Sequence, residues 1–291
     1  MKLTVKAYAK LNLLLDIVGV LPNGYHSLNM IMQSVDLHDT VSVEETDGQG
    51  IVITSSDSNV PTDSRNTVWK AVLAFEEYTG KKCTVRINID KRIPSPAGLA
   101  GGSADAAATL YALNIIYNTD LSDSELCRIG SKVGADVPFC IVGGTQLSQN
   151  IGDVLSPLPS IGDCHIVIGV PDTPVYTKDA YRRFDTSRDE ISHPDFTTLL
   201  SDAANGNYDS VYKNTANVFE QVIDVPDRVP IKAVMRKNEC ELTLMSGSGP
   251  SVFGIFKKAT DALHCANELL QITKNVCVCR PVDKGIEIVK E

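Results

Sequence analysis

The sequence predicts an α+β protein. Three observations carry the prediction: short alternating or apolar runs rich in β-branched residues, segments with helical spacing set between them, and a Pro/Gly-bearing connection that divides the chain. The strand-like runs of the first half are KLTVKAYA (2–9), NLLLDIVG (12–19), TVSVEE (40–45) and CTVRINI (83–89). Residues 55–65, SSDSNVPTDSR, are polar with one proline and read as a surface loop. In residues 66–79, Val68, Ala71, Val72 and Phe75 follow the i, i+3, i+4, i+7 spacing of one helix face, and Gly80 is placed to end it. Ser122 and Glu125 have capping-box spacing for a helix through Val133, closed by Gly134. Residues 155–165, LSPLPSIGDCH, mark the division. Beyond them come a strand at HIVIGV, several helices, the pair TLMSG and SVFGIF around a glycine turn, a helix near 259–271 and closing strands.

Composition narrows the function classes. The 291 residues carry 27 basic and 36 acidic side chains, a formal charge of −9, which argues against a broad basic surface for nucleic acid. Any anionic ligand must then meet a local constellation. With 43% apolar, 22% charged and 6% aromatic residues the chain reads as an ordinary globular protein of one large or two modest domains. A chain of this size buries about 75% of its unfolded surface and needs no disulfide staple. The eight cysteines contain no CxxC pair, and Cys277 and Cys279 lie in an alternating run, so reduced, mostly buried thiols are expected. No run of about 18 apolar residues occurs, and MKLTVKAYAK alternates instead of forming a signal-peptide core; a soluble, cytoplasmic protein is expected.

The most informative stretch runs from Ile93 through Pro94, Ser95, Pro96, Ala97, Gly98, Leu99, Ala100, Gly101, Gly102, Ser103 and Ala104 into an alanine-rich helix. Gly98, Gly101 and Gly102 let the chain turn without Cβ clashes and gather N–H groups, and a helix starting near Ser103 adds unpaired donors and a positive dipole end. That arrangement suits phosphate oxygens. The segment upstream is basic, with Lys81, Lys82, Arg86, Lys91 and Arg92 against Asp90 alone. Tight helix packing would also explain the glycines, but three glycines, a hydroxyl, a helix start and a basic approach coincide here. The loop is no Walker motif, because Ser103 follows Gly102 where a lysine would stand, and GxGxxG, HRD, DFG, GxSxG and HExxH are all missing.

Two further clusters matter. Lys10 and Asn12 share one face of a strand by its period of two, which places a cation beside an amide or merely decorates a solvated face. Asp136, in Gly134-Ala-Asp-Val-Pro138, is either a helix cap or a functional base.

Together with Met245-Ser-Gly-Ser-Gly-Pro250, these clusters resemble the GHMP kinase superfamily, small-molecule kinases whose phosphate loop has the form PxxxGLGSS. The resemblance spans essentially the whole chain. It narrows through Ala9-Lys10-Leu11-Asn12-Leu13 followed by Asn23-Gly24-Tyr25-His26 to the branch that acts on a cytidine-diphosphate-linked methylerythritol. Two positions depart from that pattern: Ala100 stands where glycine is usual, and Asn23 where aspartate is.

What the resemblance implies is a ribosomal-S5-domain-2-like N-terminal domain (1–158) that binds ATP and a ferredoxin-like C-terminal domain (159–291) that binds substrate, with the site in the cleft between them. The implied reaction is ATP-dependent phosphorylation of the methylerythritol 2-hydroxyl, on the non-mevalonate route to isoprenoid precursors. Lys10 would stabilise developing charge, Asp136 accept the hydroxyl proton and Asn12 orient the substrate. Tyr25 would stack on cytosine, His26 bond its polar edge and Tyr181 offer a second stacking face. Asn66 and Lys91 would lie near the adenine, and residues 94–104 would hold the phosphates. Ser246, Gly247 and Gly249 form either a second phosphate-facing turn or a plain hairpin turn. Mg²⁺ is implied with ATP; Ser103 is a candidate ligand or a helix cap. Partners would be small molecules, with neither nucleic acid nor membrane, and the chain a monomer or homodimer. The competing functions are a related kinase acting on homoserine or a mevalonate derivative, and a non-catalytic binding protein on the same fold.

Overall fold

The computed structural model describes residues 1–48 and 50–290. Its first sheet has seven strands, and its second has four. The first is organised by two long antiparallel strands, β1 (Lys2–Val20) and β2 (His26–Glu45). The two separate runs at 2–9 and 12–19 are therefore one strand, interrupted only by register shifts near Tyr8, Asn12 and Ile17. The first half of β2 was not expected from the sequence. Its residues from Met30 to Val35 are all buried, so alternation gives no signal there.

The strand β3 (Ile51–Ser55) runs parallel to β4 (Val85–Asp90), with the helix α1 (Thr67–Thr79) between them in sequence. Gly80 ends α1 in the left-handed region, as the sequence predicted, and Asn66, expected near the adenine, caps the helix by accepting the Val68 N–H. The helix α2 (Gly101–Ile116) follows the glycine loop, two residues earlier than expected, with Ala100 at its N-cap. Its alanines let it lie close on β1 and β2, and 11 of its 16 residues are buried. The helix α3 (Asp123–Ser131) has the predicted Ser122/Glu125 capping box. The short α4 (Val137–Val142) leads to β5 (Thr145–Asn150), which pairs with the first half of β2, and β6 (Val154–Pro157) pairs with β5.

After a connection through residues 158–164 comes β7 (His165–Val170), then α5 (Thr177–Ser187), α6 (Phe196–Ala204), α7 (Tyr208–Asn214) and α8 (Arg228–Lys237). The antiparallel pair β8 (Leu242–Met245) and β9 (Val252–Phe256), the helix α9 (Ala259–Leu269) and β10 (Asn275–Cys279) complete a sheet of order β10-β7-β9-β8. That order, with its helices, is ferredoxin-like. The expected division at residue 158 falls in the connection between the sheets. The last strand, β11 (Ile286–Ile288), nevertheless returns to pair with β1, so the end of the chain is not confined to the second sheet.

The middle of β1 is covered on both faces. One face meets α2; along its edge Leu15 N–H donates to Ala216 O at 3.0 Å and Thr215 Oγ1 to Leu13 O at 2.6 Å. This double cover buries Lys10, Asn12 and Asp16 in the middle of an apolar strand, where polar groups need partners. All eight cysteines are free thiols, five of them buried. Among the described residues no helix is long and apolar enough to cross a membrane.

Candidate active site

A cavity of about 830 Å³ opens between the glycine loop, the β1–β2 turn, the start of α5 and the turn between β8 and β9. Every residue from Pro94 to Ser103 lines it. The loop is tied from several sides. Lys10 N–H donates to Leu99 O at 3.2 Å, Thr67 Oγ1 to Gly102 O at 2.7 Å, and Ser246 Oγ to Gly98 O at 3.0 Å. Gly98 has φ +73°, and a Cβ there would stand 2.2 Å from Ser246 O, so the two turns approach as only glycine allows. Ala100 takes the same left-handed region at φ 60°, a conformation that favours glycine. The amides of Ser103 and Ala104 are satisfied by Ala100 O, whereas those of Gly98 to Gly102 have no acceptor among the described residues. Those free donors, at the N-terminus of a 16-residue helix, make a cradle for an anion.

At the next wall, Lys10 Nζ donates to Asn12 Oδ1 at 2.6 Å and stands 3.7 Å from Asp136 Oδ2. The Lys10 side chain is only 5% exposed, that of Asp136 32%. Asp136 occupies the N-cap position of α4, yet its side chain makes no cap hydrogen bond, which removes capping as its role. Burial, and second the carboxylate of Asp136, push the Tyr181 phenol above its ordinary value, so Tyr181 and Asp136 face one space.

The far end is aromatic. Asn23 Oδ1 accepts the Tyr25 N–H at 3.1 Å, a turn contact in which asparagine serves as well as aspartate. This turn holds Tyr25 62% exposed at the cavity, which contradicts an inward-packed ring. His26 instead stacks on Tyr181, with ring centroids 4.6 Å apart, and its Nε2 lies 2.7 Å from Asp185 Oδ1.

Five expectations need correction. Lys91 does not line the cavity: its Nζ is paired with Asp39 and with Asp105, and its side chain is 5% exposed. Burial works against the ammonium, but the two carboxylates outweigh it and raise its pKa. The rest of the basic approach is spent likewise, Lys82 on Glu76, Arg86 on Glu44, Arg92 on Asp90 and Lys81 on Tyr117 O. The Asn66 side chain is used up by its cap and by Pro61 O, and the residue lining the cavity is its neighbour Thr67. Ala104 faces the core. Asn12 is fully buried and does not line the cavity; its Oδ1 also accepts the Gly247 N–H at 2.9 Å, so it orients Lys10 and the 246–249 turn. That turn bears on the site, because Gly247, Ser248 and Gly249 line the cavity. The cations that line it besides Lys10 are Lys132 and Lys178, which sequence reasoning missed. Lys178 lies in the VYTKDAY segment already singled out for Tyr181, and that proximity was the available signal.

The fold and the amide cradle define a small-molecule kinase of the GHMP class, and the family described as GHMP kinases N terminal domain matches residues 66–144. The chain belongs, more narrowly, to the 4-diphosphocytidyl-2-C-methyl-D-erythritol kinase family. It is 42% identical to the enzyme of that name from Caldicellulosiruptor bescii, over 94% of this chain and 96% of the relative. A crystal structure of 4-(cytidine 5'-diphospho)-2C-methyl-D-erythritol kinase superposes with a TM-score of 0.79 at 28% identity, covering 97% of this chain and 99% of that one. The homoserine kinase of Cytophaga hutchinsonii superposes almost as well, TM-score 0.78, over 99% of this chain and 97% of that one. At 20% identity that likeness shows the fold alone.

Proposed function

We propose that this chain transfers the γ-phosphoryl group of ATP to the 2-hydroxyl of 4-diphosphocytidyl-2-C-methyl-D-erythritol, with residues 1–158 holding the nucleotide and much of 159–291 the acceptor. The observation that carries the reading is the meeting, in one cavity, of the amide cradle at 98–102, the Lys10–Asp136 pair and the exposed Tyr25. Phosphoryl transfer asks a protein chiefly for positioning and charge stabilisation. The loop amides hold phosphate oxygens, and the Lys10 ammonium, fixed by Asn12, meets charge developing on the transferred group. Asp136 accepts the acceptor's hydroxyl proton, a contribution of about 10² to 10⁴ in rate. Tyr25 stacks on the cytosine, His26 faces its polar edge, and Tyr181, which lines the same cavity and stacks on His26, offers the second aromatic face.

Magnesium suits this set. Ser103 Oγ lies beside Gly134, two residues before Asp136, and hydroxyl and carboxylate oxygens are hard donors. Among the described residues no group of three or more His, Cys, Asp or Glu could cage a metal, so phosphates would complete the shell. When bound, Mg²⁺ supplies charge neutralisation on the phosphates. A cytoplasmic enzyme, monomeric or homodimeric, with small-molecule partners only, agrees with ATP as donor and with the free thiols.

A coupled ATP-consumption assay offering the cytidine diphosphate substrate, homoserine or mevalonate phosphate tests the reading. Turnover of the first alone is expected. Turnover of homoserine or mevalonate phosphate instead overturns the substrate, and turnover of none overturns the enzyme.

A further inference from the structure

His26 is held on three sides by one helix. Tyr181 stacks on its face at an interplanar angle of 29°, Phe184 meets it edge-on with centroids 6.1 Å apart, and Asp185 Oδ1 takes its Nε2 edge at 2.7 Å. Tyr181 and Asp185 are four residues apart on α5, hence on one helix face, so the stacking ring and the carboxylate arrive together. These contacts oppose a ring flip that would exchange its two nitrogens. The carboxylate accepts, so the nitrogen it faces carries the hydrogen. Among the described residues Nδ1 has no partner, and the His26 side chain, 15% exposed, lines the cavity.

We propose that Asp185 is a positioning residue that sets the base selectivity of the site: by holding His26 as the Nε2–H tautomer it leaves Nδ1 as an acceptor, which receives the exocyclic amine of cytosine and is repelled by the carbonyl of uracil at the same ring position. The inference rests on the reading above that the base lies against Tyr25 and His26. Donor and acceptor are exchanged between the two pyrimidines at that edge, so a fixed acceptor discriminates in both senses, by one bond gained and one acceptor-to-acceptor contact imposed. An imidazole free to change tautomer would accept either base. The carboxylate on the far nitrogen therefore acts on selectivity without touching the substrate, as an outer partner does for a metal-bound histidine.

The test compares kcat and KM for the cytidine diphosphate substrate and its uridine diphosphate counterpart in wild type, Asp185→Asn, His26→Ala and the double variant. Asparagine can donate as well as accept, so Asp185→Asn is expected to cut the cytidine-to-uridine ratio of kcat/KM about tenfold. The change should fall in KM for the base-bearing substrate, with KM for ATP unmoved, and adding Asp185→Asn to His26→Ala should change the ratio no further. Nitrogen-15 NMR of the His26 ring should report Nε2–H in wild type and a mixture in Asp185→Asn. If Asp185→Asn weakens both substrates equally, or leaves the ratio intact while His26→Ala erases it, the inference fails and the base reading stands. If wild type does not discriminate, or His26→Ala keeps the full ratio, the base reading fails and takes the inference with it.

Discussion

Lys10 Nζ stands 3.7 Å from Asp136 Oδ2, one residue brought from the doubly covered middle of β1 and the other from the N-terminus of α4. The strand fixes the cation through Asn12, while the carboxylate hangs free of any cap bond. The pair therefore sets a fixed ammonium beside a carboxylate acceptor that no cap bond engages.

Asp136→Asn removes that acceptor and keeps its shape. Because the side chain makes no cap hydrogen bond, α4 should keep its start, and the only stability lost should be that of the 3.7 Å pair with Lys10. Turnover should fall by about 10² to 10⁴ while KM for ATP stays near wild type. Steady-state kinetics with each substrate varied decide it, and wild-type turnover would remove Asp136 as the base.

Tyr25→Ala tests the stacking role in isolation, since a ring 62% exposed adds little to stability. Binding of the cytidine substrate, measured by calorimetry without ATP, should weaken by about 1–3 kcal/mol. An unchanged affinity would make Tyr25 a turn residue only.

Lys91→Met separates the corrected role of this residue from the expected one. It leaves Asp39 and Asp105 buried without their cation, so stability should fall by about 3–5 kcal/mol. Denaturant melts measure this, with Lys82→Met, a surface cation, expected to stay within about 0.5 kcal/mol. An undiminished melt accompanied by weak ATP binding would return Lys91 to the nucleotide.

Asp105 gives the chain a pH signature. Burial, against the pull of Lys91, pushes its carboxyl up to about 7, and its Oδ1 has no partner. In the unfolded chain the same group titrates near 4, about its ordinary value. Between these values the folded state binds the extra proton. Stability from this group is thus fully present below about pH 4, is lost as pH rises toward 7, and stays lost above. Asp105→Asn should flatten that slope in melts taken from pH 5 to 8.

Local features of this fold were legible and long-range pairings were not. Gly80 and the Ser122/Glu125 box announce helix ends because capping is decided within a few residues. Gly98 was legible because φ +73° and the close approach of Ser246 O demand glycine, whereas Gly101 and Gly102, read as turn residues, lie in the first turn of α2. Lys91 was misread because its partner Asp39 lies 52 residues away on β2, and a local charge surplus says nothing of carboxylates folded in from elsewhere. β11 spans three residues, too few for a period. Lys178 reaches the cavity only because α5 is placed against the β1–β2 turn, a fact of packing.

The two left-handed positions of the loop should respond in opposite ways to exchange of a single methyl group. At φ 60°, Ala100 bears a cost of about 1–2 kcal/mol for its Cβ. Ala100→Gly removes it but adds about 0.5–1 kcal/mol of chain entropy to be lost on folding, so the variant should be up to about 1 kcal/mol more stable, with ATP binding retained. Gly98→Ala adds a Cβ 2.2 Å from Ser246 O at φ +73°, where no flexible side chain can yield. The 246–249 turn must then move away from Gly98, and with it the Gly247 amide that helps hold Asn12 and so Lys10. Gly98→Ala should therefore lose both ATP affinity and turnover, whereas Ala100→Gly keeps both. Equal behaviour of the two variants in nucleotide titrations would mean that the contact between the turns does not set the cradle.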